Sequence, residues 1–538
     1  MSEHEPTPTP ELVTVKIDGK EHQLPKGKNL LEALLDLGED ISYFCYHPGL
    51  SVAASCRQCL VGIRGSMVPS CQTTVSDGLE LESQSPTVLD ARRQMLEFTL
   101  VNHPVDCVIC DKAGECTLQR HYMDWDGKPS EIDHEKVEKP KKVDVGREIV
   151  LDAERCILCS RCVRFCQEIA ESPDLVFEYR GNHETLTTAP DRRLDNSYSL
   201  NTVDICPVGA LTDKDFRFKI RVWELYATRS VCNGCAAGCD TEVHHRDGRI
   251  YRMVPPKDWD MNLNWMCDDG RRTYKSVAAQ RLTRPLVDGE PAELDAALAA
   301  IKERLEPLLA QDRGAIGVVL GADASNEDNF MAARMAYDFL EAGHVYLADS
   351  PDNGLGDDIL RRDDPNPNRA GARGCARGDL GSSEDLARDL ADHKLEALYV
   401  VGDRLDLSDE TLGQLRGLKL VVVQASEPSR LTDKAHVVLP AAKWAEVHGT
   451  ITRTSERAKR DLSASRFGRM RPAVEPPGMA RPHWDWLKRV GAVLGVTVEF
   501  ESAHAVFQEM KKQVPFFAEA QWGGKIPTVM LRFAGRRG

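Results

Sequence analysis

Hydrophobic positions alternate from residue 12 to residue 24: Leu12, Val13, Val15 and Ile17 precede Asp18-Gly19, and His22 and Leu24 follow. Alternation around an Asp-Gly pair predicts two short strands joined by a tight hairpin turn. Asn29 can cap a helix from Leu30 to Leu37, with Leu30, Leu31, Leu34 and Leu35 on one face and Gly38 at its end. A further helical stretch runs from about Pro86 to Leu100, whereas residues 125–146 are crowded with Lys, Glu, Asp and Pro and predict an exposed connector. From residue 293 the texture changes. Leu294, Leu298, Ile301 and Leu305 recur at helical spacing, Ile316 to Leu320 read as a buried strand, and Ser325 caps a helix to Leu340. Strands follow at 344–347, 396–401, 419–424 and 435–439, so the second half predicts an α/β domain with a largely parallel sheet. The Pro-, Gly-, Arg- and Asp-rich stretch 349–381 predicts a long surface loop or a disordered segment. No short repeat of the solenoid kind is present.

At 538 residues the chain is too long for one core, and 42% hydrophobic residues suffice to bury several. The net charge of -15, without a polybasic block, argues against nucleic acid as a partner. No apolar stretch approaches the roughly 20 residues needed to cross a bilayer, and MSEHEPTPTPEL lacks the basic and apolar halves of a signal peptide. The expectation is a cytosolic chain with no direct membrane insertion. In a reducing compartment, closely spaced cysteines favour metal ligation over disulfides.

Fifteen of the 17 cysteines fall into four packets before residue 268. Cys156-x2-Cys159-x2-Cys162 supplies three soft, anionic ligands on one tight loop, and the remote Cys206-Pro207 supplies the fourth for a 4Fe-4S cubane. Cys45, Cys56, Cys59 and Cys71 combine a wide first gap with one tight pair, which suits a 2Fe-2S cluster; zinc is the alternative. Cys107, Cys110 and Cys116 are three thiols short of one corner, with His103 just upstream. Cys232, Cys235, Cys239 and Cys267 fit a further cluster or a zinc ion. Cys166 follows the third packet, but Gln167 stands where proline is usual, so it reads as a packing thiol. Cys375, in an Arg- and Gly-rich stretch, carries no pattern.

The opening hairpin, helix and cysteine loop resemble the β-grasp ferredoxins. As a series, the packets resemble the large iron–sulfur subunit of the peripheral arm of bacterial NADH-quinone oxidoreductase, respiratory complex I. The resemblance rests on Ser55-Cys56-Arg57-Gln58-Cys59, His103-Pro-Val-Asp-Cys107-Val-Ile-Cys110, Arg155-Cys156-Ile-Leu-Cys159-Ser-Arg-Cys162-Val-Arg-Phe-Cys166 and Cys206-Pro207-Val-Gly-Ala-Leu. It implies that His103 completes the second packet's 4Fe-4S cluster, and that one 2Fe-2S and several 4Fe-4S clusters relay single electrons from a flavin end toward quinone. The fourth packet resembles the cluster-binding entrance of molybdopterin oxidoreductases and by family analogy lies off the path.

The implied fold is multidomain α+β and α/β. A β-grasp 2Fe-2S domain (1–90) precedes a 4Fe-4S module with one histidine and three cysteines (91–130) and a 4Fe-4S ferredoxin-like module (145–222). A molybdopterin-oxidoreductase-type 4Fe-4S domain (223–285) and a shortened molybdopterin-oxidoreductase-like α/β domain (286–538) follow. Arg281 to Leu286 marks the boundary into the last. Leu439 to Ala442, Glu446 and Gly449-Thr450 resemble the pterin-domain pattern, but Arg453-Thr454-Ser455-Glu456-Arg457 departs from its continuation, so no molybdopterin is expected. The chain should carry electrons without catalytic residues of its own, on the cytoplasmic side of the inner membrane. Its partners should be a flavin-bearing NADH-oxidising subunit and further iron–sulfur subunits. Alternatives are a molybdenum or tungsten formate dehydrogenase, the diaphorase subunit of an NAD-linked hydrogenase, and a zinc-stapled scaffold.

Overall fold

The computed structural model describes residues 11–127, 129, 131, 133, 135–256, 261–454, 467–523 and 529–531. These divide into two compact units that meet at Glu224 and Leu225 in sequence.

In the first unit, Leu12–Ile17 and Lys20–Pro25 pair antiparallel, from Leu12 opposite Pro25 to Ile17 opposite Lys20. Asp18 and Gly19 both take positive φ, the turn that matches strand twist. Glu80–Leu81 adds a parallel strand beside Ile17. The helix Leu30–Asp36 buries Leu30, Leu31 and Leu34 against this small sheet. The helix Pro86–Leu100 buries Val88, Arg92, Leu96 and Leu100, a stripe at four-residue spacing. Farther on, Ile149–Leu151 and Leu211–Asp213 pair antiparallel and flank the helices Arg161–Glu168 and Asn201–Ile205.

The stretch expected as an exposed connector is tied down at several described points. Lys136 donates to the carbonyls of Leu100 and Val101 (2.7 and 2.9 Å), and Val143–Asp144 pairs with Ile149–Leu151. Its many charged residues hide these anchors because backbone acceptors leave no trace in the sequence.

The second unit opens with an antiparallel sheet of Tyr226–Val231, Asp240–Arg246 and Arg249–Val254, to which Val529–Met530 adds. Its larger sheet has seven strands in the order Glu290–Pro291, Leu286–Val287, Val437–Pro440, Leu420–Ala425, Ala397–Val401, Ile316–Gly321 and His344–Ala348. The last five run parallel and the first two form an antiparallel edge. Both faces are covered: Val318, Leu320, Tyr399 and Val401 pack to one side and Val319, Leu398 and Val400 to the other. That two-sided burial is why these strands are continuous apolar runs.

The stretch 349–381 is not all surface loop. Arg369–Cys375 is a helix that buries Gly371, Ala372 and Cys375. A Cβ on Gly371 would stand 1.9 Å from Asn326 Oδ1, and one on Gly374 would stand 2.5 Å from the Phe516 ring. These glycines permit close packing rather than a turn. Arg369 meets Asp349, Asp352 and Asp364 at 2.9–3.4 Å, so the charges are internal ties.

Candidate iron–sulfur cluster sites

The first packet lies on the loop after the Leu30 helix and on the turn after the Leu60–Ile63 and Ser66–Pro69 hairpin. Cys45, Cys59 and Cys71 are buried and Cys56 is half-buried. Their thiols touch: Cys45 meets Cys56 and Cys71, and Cys59 meets Cys71. Hydrogen bonds from Cys56 and Cys71 drive Cys45 far down, while the same bonds drive Cys56 and Cys71 up. Cys59 is pulled to about 7 by its bond from Cys71. Local geometry prepares this convergence. Ala54 and Arg57 take left-handed φ on either side of Cys56, and the capping Asn29 donates its side-chain amide to the Cys71 carbonyl at 2.7 Å.

In the second packet Cys110 and Cys116 are buried and Cys107 is half-buried on a short turn. Burial pushes Cys116 up to about 12, with smaller contributions from Cys110 and Cys107, so the three thiols share one electrostatic environment. Cys116 Sγ accepts from the Gln119 amide at 3.4 Å, and a Cβ on Gly209 would stand 2.2 Å from Cys110 Sγ. His103 Nδ1 is buried without a hydrogen-bond partner among the described residues, and burial lowers the ring to about 4, leaving a neutral imidazole near pH 7. A neutral ring with an unmatched buried nitrogen has the donor chemistry of a metal ligand. Arg155 grips Asp106 through Nε and Nη2 at 2.9 and 2.6 Å and lies 3.5 Å from Asp152.

In the third packet Cys159, Cys162 and Cys206 are buried and Cys156 is half-buried. Cys156, Cys159, Cys162 and Cys206 line one pocket together with Phe177, Leu186, Val208 and Leu211. Leu158 and Ser160, on either side of Cys159, take left-handed φ and bend the loop around the pocket. Burial pushes Cys156 to about 12 and Cys159 to about 11, so four thiolates here require a compensating cationic group. Among the described residues no three His, Cys, Asp or Glu side chains are placed to hold one metal ion; in this packet the thiols line a space rather than grip a point. Such a lining fits a cluster. Cys166 lies outside it, fully buried, with burial raising its thiol to about 12.

In the second unit Cys232 and Cys239 are buried, and Cys235 and Cys267 are half-buried. Cys232 N donates to Cys239 O at 2.8 Å, and Cys267 Sγ accepts from Gly270 N at 3.3 Å. A Cβ on Gly270 would stand 3.1 Å from both Cys232 and Cys267 Sγ, which places the two thiols on one side of that glycine. Arg453, beside Cys239, pairs with Asp240.

The residues of the pterin-like pattern engage one another within this unit. Arg281 clamps Glu446, whose Oε2 also accepts from Lys443 N at 2.7 Å. Fully buried Glu327 accepts from Thr450 N and Oγ1, both at 2.7 Å, and burial raises it to about 7. Of the departing segment Arg453 to Arg457, residues 455–457 lie outside the described residues. Cys375 Sγ donates to the Asn326 carbonyl at 3.6 Å in the core.

Sequence reasoning missed the ties between the first and third packets. Arg164 donates to the Cys45 carbonyl at 2.5 Å, Arg161 donates to that of Tyr46 at 2.5 Å, and Ser51 N donates to Glu168 at 2.8 Å. The helix that carries Cys162 is thus bonded directly to the loop that carries Cys45. Arg161 and Arg164 stand inside the recognised motif, yet nothing in their spacing indicates an acceptor more than a hundred residues upstream.

Family models match five segments in order. They are a 2Fe-2S iron-sulfur cluster binding domain (11–86), the NADH-ubiquinone oxidoreductase-G iron-sulfur binding region (92–126) and the ferredoxin-like domain of NADH-quinone oxidoreductase subunit 3 (146–212). The molybdopterin oxidoreductase Fe4S4 domain (226–279) and molybdopterin oxidoreductase itself (366–493) follow. The chain is 37% identical over 345 residues to the G subunit of NADH-quinone oxidoreductase from Streptomyces coelicolor, covering 63% of this chain and 41% of that protein. It is 36% identical over 326 residues to the corresponding G subunit from Rickettsia bellii, covering 60% and 47%. Against the potato mitochondrial NADH dehydrogenase [ubiquinone] iron-sulfur protein 1 it is 35% identical over 350 residues, covering 63% and 46%. A crystal structure of NAD+-reducing [NiFe]-hydrogenase in the H2-reduced state matches 39% of this chain and 91% of that one at 32% identity, with a TM-score of 0.36. The chain spans less than half the length of these three curated relatives. It combines a 2Fe-2S domain, 4Fe-4S modules and a molybdopterin-oxidoreductase-like domain in a mixed α/β fold, and over about three fifths of its length it is similar to the G subunit of NADH-quinone oxidoreductase.

Proposed function

We propose that this chain is an iron–sulfur electron-transfer subunit of an NADH-quinone oxidoreductase, passing single electrons from a flavin-bearing partner toward quinone. The observation that carries this reading is the third packet, where four cysteines from two distant segments line one pocket. In the proposed assignment Cys45, Cys56, Cys59 and Cys71 hold a 2Fe-2S cluster. His103, Cys107, Cys110 and Cys116 hold one 4Fe-4S cluster, and Cys156, Cys159, Cys162 and Cys206 hold a second. Cys232, Cys235, Cys239 and Cys267 hold a third, off the path. Bound clusters supply one-electron acceptors and donors.

The chain's own residues do the remaining work. Thiolates and one imidazole fix the centres, Phe177, Leu186 and Leu211 keep water from the third packet, and Arg161, Arg164 and Glu168 set its distance from the first. Residues 1–90, 91–130, 145–222 and 223–285 are proposed as the cluster segments and 286–538 as a scaffold without molybdopterin. No described helix is long and apolar enough to cross a membrane. The proposed place is peripheral, on the cytoplasmic face, beside the flavin-bearing subunit and further iron–sulfur subunits.

Anaerobic reconstitution of the full chain should give about 14 iron atoms per chain and paramagnetic signals from both cluster types. Near-zero iron would exclude the reading, and stoichiometric molybdenum or tungsten would turn it into a catalytic one. A colourless, zinc-loaded protein would make it a scaffold. His103→Cys should leave the second packet's 4Fe-4S cluster assembled with an altered spectrum, because only one ligand changes. An unaltered spectrum would remove His103 from the ligand set.

A further inference from the structure

Three buried arginines flank the first and third packets, and among the described residues none has a carboxylate in contact. Arg92 is 2% exposed, Arg161 8% and Arg164 9%. Their hydrogen bonds go to neutral atoms. Arg92 Nε donates to Leu60 O at 2.9 Å; Arg161 donates to the Tyr46 and Ile205 carbonyls at 2.5 and 3.1 Å. Arg164 donates to Cys45 O at 2.5 Å, to Ser160 Oγ at 3.1 Å and to the Ser51 carbonyl. Arg161 also lies 5.8 Å from the centre of the Tyr43 ring. Both terminal nitrogens of Arg92 and Nε of Arg161 are buried with no hydrogen-bond partner among the described residues. Asp18, Glu39 and Asp40 reach Arg92 only at a distance, and Glu168, one turn beyond Arg164, accepts from Ser51 instead.

At the other two packets arginines are held by carboxylates, apart from half-buried Arg221, which donates to the Cys110 and Val108 carbonyls at 2.7 and 2.5 Å. Arg155, which acts on the Cys110 thiol, is held by Asp106 with Asp152 close by, and Arg453, which acts on Cys239, is held by Asp240. A guanidinium taken out of water without an anion is strongly unfavourable, so three such groups around two packets call for an anion in their midst.

We propose that Arg92, Arg161 and Arg164 are potential-setting and positioning residues, the built-in counter-charge of the clusters held by the first and third packets. The inference rests on the cluster assignment above. A thiolate-ligated cluster is anionic and gains one negative charge on reduction, so a fixed buried cation stabilises the reduced form more than the oxidised form. Arg92 acts on Cys59 of the first packet. Arg161 acts on Cys159 of the third while bonding beside Cys45 of the first, so its charge lies between the two centres. Arg164 fixes the Cys45 backbone against the helix that carries Cys162. These two centres should accept an electron more readily than thiolate ligation alone allows, whereas Arg155 at the second packet and Arg453 at the fourth are already neutralised by Asp106 and Asp240.

The test is a redox titration of the reconstituted full chain followed by paramagnetic resonance, with iron content measured in parallel. Arg161→Gln should lower the midpoint potential of both the first and third signals and shift the second far less. Arg92→Gln should lower the first alone. Arg161→Lys should keep both potentials close to the parent values, because it keeps the charge while losing the fork. Full iron with unmoved potentials in the Gln variants would overturn the proposal, as would a Lys variant that shifts as far as Gln. If Arg161→Gln takes up no iron and Arg161→Lys does, the cluster needs the charge and the proposal stands; if neither does, the role is structural and the proposal falls. A parent chain that takes up no iron overturns the cluster assignment itself, and this inference with it.

Discussion

In the second unit the Ile316, Ala397 and Leu420 strands lie between two hydrophobic layers, and buried leucines and valines account for their order. In the first unit the sheets have only two or three strands, and cysteines join the apolar interior: Cys59 and Cys71 belong to one buried cluster with Val15, Leu30 and Leu81. Its segments are joined by bonds such as Asn29 to Cys71 and Arg164 to Cys45, which fix loops without burying much apolar surface. The contrast is between strands sandwiched by two apolar layers and small sheets whose buried cluster includes cysteines of a packet.

The sharpest way to break that comparison is to withdraw iron. Anaerobic chelation should expose the backbone amides of Ile149–Leu151, Arg161–Glu168 and Leu211–Asp213 to rapid hydrogen exchange while Ile316–Gly321 and Leu420–Ala425 stay protected. Equal loss of protection in both units would mean that they do not differ in what holds them. The reciprocal cut is Leu320→Ala, which should cost about 2–5 kcal/mol in the second unit's unfolding transition and leave the spectra of the first three packets unchanged.

Smaller and pH-dependent is the effect of Glu327. Burial raises its folded value to about 7, so between the unfolded carboxyl range and pH 7 the folded state holds more protons than the unfolded one. Its contribution to stability is therefore present at low pH and is lost as pH rises toward 7. Glu327→Gln should flatten a slope worth on the order of 3 kcal/mol, visible in denaturant melts of the second unit at pH 5 and pH 7.5. Smallest is Asn29→Ala, which should cost about 1 kcal/mol through the lost helix cap and also loosen the first cluster's spectrum by freeing the Cys71 carbonyl.

Much of this was legible from local chemistry. Asp18-Gly19 specifies its turn, Asn29 and Ser325 cap their helices, and the Val-rich runs near 398 and 421 are buried strands. The spacing of the third packet groups Cys156, Cys159 and Cys162 with Cys206, and the structure brings these four to one pocket. What escaped was whatever depends on distant partners. Gly371 and Gly374 looked like loop residues because their reason, the approach of Asn326 and Phe516, lies elsewhere in the chain. Arg161 and Arg164 looked like motif residues because their acceptors are backbone carbonyls, which every sequence position provides.

The distance between Cys162 and Cys206 also carries a consequence for biogenesis. The last thiol of the third packet leaves the ribosome 44 residues after the first three. At ordinary elongation rates that interval lasts roughly 2–9 s. For those seconds the nascent chain displays an incomplete thiol set, vulnerable to oxidation or to capture by the wrong metal, and delivery of the proposed cluster would have to wait for Cys206 or shield the first three.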